Sequence, residues 1–264
     1  MKKINLAVVG ATGMVGRTFL KVLEERQLPI ENFYVMASAR SAGKTLEFNG
    51  KEYVVEELNE HSFDKPIDIA LFSAGGGTSE KFAPIAAAHG CIVIDNSSQW
   101  RMDPNVPLIV PEVNPEHLEV IEAQKKRLGT TKGFVAVKPN CSIQSYAPAL
   151  TAWKEFEPYE VVATTYQAIS GAGKTFKEWP EMIENIIPYI GGEEEKSEQE
   201  PLRVLGKVEN GQIVKAELPR ITCQCVRVPV LNGHTAAVFI NFDKKPTKEE
   251  LIDRLVNFKG FPQE

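Results

Sequence analysis

A six-residue stretch, Ile4–Val9, apolar at every position but Asn5, runs straight into three glycines, Gly10, Gly13 and Gly16, and then into a helix-length amphipathic segment, Val15–Glu25. Val15, Phe19, Leu20, Val22 and Leu23 share one side of that segment. A strand that must turn at once into a helix needs residues free of Cβ crowding. The spacing G-x-x-G-x-x-G supplies them and leaves the first N–H groups of the helix bare. Bare N–H groups at a strand-to-helix turn suit a pyrophosphate, although a tight turn without ligand has the same spacing.

The rest of the first half continues the alternation. Phe33–Ala37, Ile67–Phe72 and Ile92–Asp95 read as strands, Glu80–His89 as a helix, and Thr45–Phe48 with Glu52–Val55 as a hairpin through Asn49-Gly50. This order predicts a Rossmann-type, doubly wound parallel sheet covered by helices, with right-handed crossovers. The pattern changes near Phe134–Val137. A helix is expected from Ser142 to about Phe156, then a strand at Val161–Gln167 and an acidic helical stretch, Glu193–Leu205, interrupted by Pro201. Thr222–Pro229 and Thr235–Phe242 read as long strands of a mixed or antiparallel sheet, separated by Leu231-Asn232-Gly233. The α/β chain is therefore divided into a nucleotide-binding domain, 1–137, and an α+β domain, 138–264.

Composition narrows the function classes. Thirty basic against thirty-five acidic residues give a net charge of −5, which argues against a nucleic-acid footprint. No apolar run is long enough to span a bilayer. Lys2 and Lys3 precede the first apolar run as in a secretion signal, but glycines interrupt it and no small-residue cleavage site follows. Four cysteines without paired spacing do not make a disulfide framework, so cytoplasmic residence is the expectation.

Two constellations carry chemistry. The second strand ends in Ala37-Ser38-Ala39-Arg40-Ser41, where an NAD-binding chain usually has an acid for the ribose hydroxyls. Arg40 between Ser38 and Ser41 suits a 2′-phosphate and favours NADP, with an exposed loop arginine as the alternative. Ser73-Ala74-Gly75-Gly76-Gly77 follows the next strand, at the same sheet edge. In the second half, Cys141 precedes a helical pattern, where the helix dipole favours a thiolate nucleophile. Cys91 reads as a core residue. Cys223 and Cys225 share a strand face, but C-x-C without further ligands is weak support for a metal, and none is expected. His61, His89 and His117 read as surface residues. His234, after Asn232-Gly233, is either an acid/base partner for Cys141 or a hairpin-loop residue.

Taken together, GATGMVG at 10–16, ASARSAGK at 37–44, FSAGGG at 72–77, DNSSQWRMD at 95–103, PNCS at 139–142, QAISGAGK at 167–174, IPYIGGEEEK at 187–196 and CVRVPVLNGH at 225–234 resemble the aspartate-β-semialdehyde dehydrogenases, along essentially the whole chain. The GGEEEK segment is most similar to the archaeal and fungal branch. The resemblance implies reduction of L-aspartyl-4-phosphate to L-aspartate 4-semialdehyde with NADP, through a cysteine thioester, in lysine, methionine and threonine biosynthesis. It implies Cys141 as nucleophile, His234 as acid/base and Gln167 as the residue that positions the acyl group. It gives Arg227 the substrate carboxylate, Arg101 the phosphate, and Glu200 the ammonium. Arg203 stands where the family usually shows a phosphate-binding lysine, and Ser197 where it often has methionine. Cofactor contacts are implied at Gly10, Thr12, Gly13, Met14, Val15, Gly16, Ser38, Arg40, Ser41, Ser73, Gly75, Gly76, Asn96, Ser170 and Gly171. The implied partners are the small substrate and phosphate, with a homodimer or homotetramer built on the second domain, and neither nucleic acid nor membrane.

Members of the family run longer. The resemblance places a further strand region and a long helix beyond Glu264, so the 264-residue chain is expected to be weakly active or inactive and to expose apolar surface. The alternatives are another acyl-phosphate or acyl-thioester reductase, for N-acetyl-γ-glutamyl phosphate or malonyl-CoA, and an inactive NADP-binding remnant. Glyceraldehyde-phosphate dehydrogenase shares the chemistry, but usually has an acid after strand two.

Overall fold

A six-stranded, all-parallel sheet organises the first half of the chain. A computed structural model describes residues 2–263. Contacts divide the chain into two compact units, Met1–Pro107 with Glu119–Lys138, and Leu108–Leu118 with Pro139–Glu264. The excursion at 108–118, which the sequence reading assigns to the first domain, thus groups with the second unit. There the buried His117 lies 3.2 Å from the Gly206 carbonyl through Nε2.

In the first unit the elements are β1 (Ile4–Val9), α1 (Met14–Arg26), β2 (Ile30–Ala37), β3 (Thr45–Phe48), β4 (Lys51–Val54), β5 (Glu56–Glu57), β6 (Ile69–Phe72), α2 (Gly76–Ala88), β7 (Ile92–Asp95), α3 (Ile121–Leu128) and β8 (Phe134–Val137). The sheet order is β5-β2-β1-β6-β7-β8. The chain leaves β1 toward one edge and later returns to pair β6 on its other side, so the C-terminal ends of β1 and β6 form a topological switch point. β1 is apolar from Leu6 to Val9 because both faces of a central parallel strand are covered there, and Ala7, Val8 and Val9 are fully buried. The hairpin of β3 and β4 turns through Asn49 and Gly50, both at positive φ, and seats Phe48 against Phe33 with ring centroids 4.1 Å apart. α2 begins four residues before the expected Glu80, so Gly76 and Gly77 form its first turn rather than a loop.

The second unit contains α4 (Ala147–Ala152), β9 (Pro158–Gln167), α5 (Glu193–Val204), β10 (Lys207–Glu209), β11 (Gln212–Val214), β12 (Arg220–Arg227), β13 (Thr235–Phe242) and α6 (Lys248–Val256). Its sheet is mixed, in the order β12-β9-β13, with β12 parallel and β13 antiparallel to β9. β12 and β13 are consecutive in sequence yet do not pair, so Leu231-Asn232-Gly233 is a crossover over β9 and not a hairpin turn. The register sets Arg227 beside Gln167 and Thr235 beside Tyr166. Gln167, Arg227 and His234 therefore arrive at one end of one sheet.

Two helix expectations need correction. The segment after Cys141 is not one helix: a 3-10 turn at Ile143–Ser145, the short α4 and a second 3-10 turn at Lys154–Phe156 replace it. Pro148 explains the break, since its ring would strike the carbonyl four residues back in a continuous helix. Pro201, in contrast, does not interrupt α5. The Ser197 carbonyl that Pro201 leaves without an intrahelical donor accepts instead from the Tyr146 hydroxyl at 2.8 Å. α5 also seals the free edge of β12. Glu198 accepts from the Cys223 N–H and Glu194, one turn earlier, from the Cys225 N–H. Among the described residues, no helix is long and apolar enough to cross a membrane.

Candidate active site

In the first unit the glycine turn is built by close approach. Gly10 has φ +83°, and a Cβ there would lie 2.2 Å from the Ser73 carbonyl oxygen of the neighbouring strand end. A Cβ on Gly16 would lie 2.2 Å from the Gly10 carbonyl oxygen, so α1 packs against the turn only because residue 16 has no side chain. Gly13 is the N-cap of α1, and Met14 and Val15 form its first turn. A cavity of about 540 Å³ opens here, lined by Gly10, Thr12, Gly13, Ser38, Arg40, Ser41 and Ser73, among others. The Thr12 hydroxyl donates to Ser41 Oγ at 3.2 Å, tying the glycine turn to the loop after β2. Arg40 is exposed on the rim of that loop. No acid occupies the cavity lining. Gly75 caps α2 at φ +86° and Gly76 is its first residue. Gly75, Gly76, Asn96, Met14 and Val15 are not among the lining residues.

The loop after β7 is organised by one buried carboxylate. Asp95 accepts from Ser79 Oγ (2.7 Å), Ser97 Oγ (2.6 Å) and the Ser97 N–H (2.9 Å). Asn96 follows, and its carbonyl accepts from Arg101 Nη2 at 3.0 Å, with Arg101 itself buried.

In the second unit Cys141 Sγ lies 3.1 Å from His234 Nε2. Cys141 is exposed, whereas Cys91, Cys223 and Cys225 are buried. The turn that presents it is fixed through Asn140. Asn140 Oδ1 accepts from the Ser142 N–H and hydroxyl, its Nδ2 donates to Glu193 Oε2 at 2.8 Å, and its main-chain N–H donates to Glu200 Oε2 at 2.5 Å. Glu200, expected to meet the substrate ammonium, thus also anchors the cysteine turn. With helix 142–156 broken, the dipole argument for Cys141 gives way to this side-chain cradle.

Burial works against the charge of Glu193, yet hydrogen bonds from Lys196 and Asn140 outweigh it and hold the carboxyl below the usual range. The buried Gln167 donates to Thr165 Oγ1 at 3.2 Å. Arg227 is buried, and desolvation lowers its pKa while Glu193 and Cys141 oppose that shift. Its Nη1 donates to the Ala168 carbonyl at 2.8 Å. Ala168 N–H donates to His234 Nδ1 at 2.9 Å. Ser170 follows in a 3-10 turn, and a Cβ on Gly171 would come within 3.0 Å of both Arg227 Nη1 and the His234 ring. Arg203 is buried on α5 beside Glu200 in sequence by three positions. Ser197, at the position often held by methionine, is buried against Ser142 Oγ and Cys225 Sγ.

Sequence reasoning missed Asn140 and Glu193 as site-building residues, although both sit in motifs it singled out. Ala168 gave no signal, because its role is main-chain. His117 was misplaced at the surface. It is fully buried, with Nδ1 2.9 Å from Asn114 Nδ2, and burial pushes its pKa down. Cys223 and Cys225 do face one side, with sulfurs 3.8 Å apart, and among the described residues no cluster could hold a metal ion.

A glycine turn at a sheet switch point is the architecture of a nucleotide-binding domain, and the comparisons make it that of a dehydrogenase. The family model described as semialdehyde dehydrogenase, NAD binding domain, matches residues 5–121, and the semialdehyde dehydrogenase dimerisation domain matches residues 149–263. The chain is 43% identical to the aspartate-semialdehyde dehydrogenase of Aquifex aeolicus strain VF5, over 97% of this chain and 79% of that relative. It is 38% identical to the Methanothermobacter thermautotrophicus enzyme, over 98% of this chain and 77% of the relative. Among solved structures, aspartate semialdehyde dehydrogenase II from Vibrio cholerae superposes with TM-score 0.79 at 35% identity, covering 97% of this chain and 80% of that one. The Candida albicans enzyme, solved with NADP, superposes with TM-score 0.85 at 29% identity, covering 97% and 77%. The chain belongs to the aspartate-semialdehyde dehydrogenase family, oxidoreductases of amino-acid biosynthesis.

Proposed function

We propose that the chain catalyses the NADP-dependent interconversion of L-aspartyl-4-phosphate and L-aspartate 4-semialdehyde through a thioester on Cys141, and serves the lysine, methionine and threonine branch. The observation that carries this reading is the 3.1 Å approach of Cys141 Sγ to His234 Nε2, beside a buried arginine. Residues 1–137 are read as the NADP-binding domain and 138–264 as the catalytic and dimerisation domain.

The cavity at the switch point fits a dinucleotide, because its glycines leave the turn open where a Cβ on Gly10 would meet main chain. Gly10, Thr12, Gly13, Met14, Val15 and Gly16 would hold the pyrophosphate. Ser38, Arg40 and Ser41 would hold a 2′-phosphate, with Ser73, Gly75, Gly76, Asn96, Ser170 and Gly171 completing the binding residues. When bound, the nicotinamide exchanges a hydride with the substrate carbonyl carbon.

The chain's own residues do the rest. In the aldehyde-oxidising direction the Cys141 thiolate attacks the carbonyl carbon, and His234 stabilises the oxygen that takes up the electron pair. The thioester left after hydride loss is cleaved by phosphate, and the thiolate is the leaving group. Biosynthesis runs the same steps backwards. Arg227 pairs the substrate carboxylate, Glu200 the ammonium, Gln167 orients the acyl group, and Arg101 with Arg203 pair the phosphate. The substrate is a small molecule, the residence cytoplasmic. The chain associates with copies of itself through the outer face of the β12-β9-β13 sheet, where Phe239 is 63% exposed opposite Val162.

NADP reduction by aspartate semialdehyde, measured with and without phosphate, tests the reading. Phosphate-dependent turnover, slow in the 264-residue chain, is the expected result. Dinucleotide binding without turnover contradicts it and marks a remnant.

A further inference from the structure

One alanine stands between His234 and Arg227 in the candidate site. Ala168 is the first residue beyond β9 and is fully buried. Its N–H points at His234 Nδ1 at 2.9 Å, and its carbonyl accepts from Arg227 Nη1 at 2.8 Å. A main-chain N–H can only donate, so Nδ1 must present its lone pair. The single proton of the neutral ring then sits on Nε2, which faces Cys141 Sγ at 3.1 Å. A doubly protonated ring would set two N–H groups head to head at Ala168.

The Arg227 guanidinium acts in the same direction. Arg227 and the His234 ring crowd the same face of Gly171, and a guanidinium neighbour disfavours an imidazolium. The Cys141 thiolate on the other nitrogen opposes it, and the main-chain N–H against Nδ1 is the contact that leaves no room for a second proton.

We infer that the main chain of Ala168 is a positioning group of this site, which holds His234 as the neutral Nε2–H tautomer, a standing hydrogen-bond donor rather than a base, and holds Arg227 with the same peptide. The chemistry balances without a proton on Nδ1: the exposed Cys141 thiol gives its proton to solvent before the aldehyde binds, since Nε2 already carries one. The thiolate forms the S–C bond, and the carbonyl π pair moves to oxygen, which takes the Nε2–H hydrogen bond. The pair returns to re-form C=O as hydride leaves to the oxidised dinucleotide. The sum is thiolate plus aldehyde giving thioester plus hydride.

This inference rests on the Cys141–His234 reading, and the test keeps the two apart. In the full chain labelled with 15N-histidine, His234 should show an unprotonated Nδ1 and a protonated Nε2 throughout the range where the Cys141 thiolate absorbs, as identified by difference from Cys141→Ser. A His234 ring protonated on both nitrogens wherever the thiolate exists would overturn the inference. Replacing Ala168 by lactic acid makes the 167–168 link an ester and removes only the N–H. The ester should lower kcat about tenfold, the effect of one hydrogen bond, and let Nδ1 take up a proton. Ala168→Gly keeps both main-chain groups and should retain most of kcat. An ester variant with an unchanged tautomer, or an Ala168→Gly variant as impaired as the ester, would count against it. Full turnover by Cys141→Ser would instead remove the underlying reading while leaving the tautomer result standing.

Discussion

The two units assemble their candidate sites from different materials. In the first, the core of the binding surface is a main-chain turn, and its shape depends on missing side chains at Gly10 and Gly16 within one short stretch. In the second, side chains from five separate segments meet: Asn140 and Cys141, Gln167, Glu193 with Glu200, Arg227, and His234. A main-chain turn is local and is spelled out in neighbouring residues. A side-chain site exists only after the sheet has formed, because the register of β12, β9 and β13 brings it together.

The largest expected effect falls on the side-chain site. Cys141→Ser should lower turnover by about a thousandfold or more, as loss of a covalent nucleophile does, while the dinucleotide dissociation constant changes little. Steady-state kinetics and equilibrium titration measure the two quantities, and parallel loss of both would erase the contrast between the units. Gly10→Ala should do the reverse. Its methyl meets the Ser73 carbonyl in a backbone conformation that L-residues rarely adopt, so dinucleotide binding should collapse and stability fall by about 2 kcal/mol or more. Gly43→Ala, also at positive φ but in open space, is the control and should cost only about 1 kcal/mol of backbone strain in a calorimetric comparison.

What could be read from sequence follows the same division. The glycine turn, the β-α-β alternation and the Asn49-Gly50 hairpin are local patterns, and all three appear in the fold. The break at Pro148 is also local, but the helix-length apolar pattern from Ser142 overrode it. Pro201 misled in the opposite direction, because its cost inside α5 is offset by Tyr146, more than fifty residues away. Thr247 and Glu250 form a capping box at α6 that a T-x-x-E reading would have found. The burial of His117 had no local sign, since its polar neighbours Asn114 and Glu116 look like a surface. Only the contact with Gly206, 89 residues on, places it inside.

A smaller effect sharpens the reading of the nucleotide unit. Arg40→Asp should raise the NADP dissociation constant by about tenfold or more while that for NAD moves far less, since one charge-assisted pair is lost and a repulsion gained. Equal changes for both dinucleotides would detach Arg40 from the 2′-phosphate.

The smallest effect concerns pH. Burial lowers the pKa of His117, so the unfolded chain binds a proton there more readily than the folded one. Stability should be unaffected above the ordinary histidine value of 6.5 and should fall as pH drops below it, until the folded state protonates as well. His117→Gln should flatten that slope by up to about 1.4 kcal/mol per pH unit, read from denaturant melts across the acid range.

The central claim is that Cys141 bonds to the substrate carbon. Mass spectrometry of the chain mixed with aspartate semialdehyde and NADP, without phosphate, tests it most directly. The account predicts an aspartyl adduct on the peptide bearing Cys141 that disappears when phosphate is added. Turnover with no adduct on that peptide, or with the adduct on Cys91, Cys223 or Cys225, would contradict it.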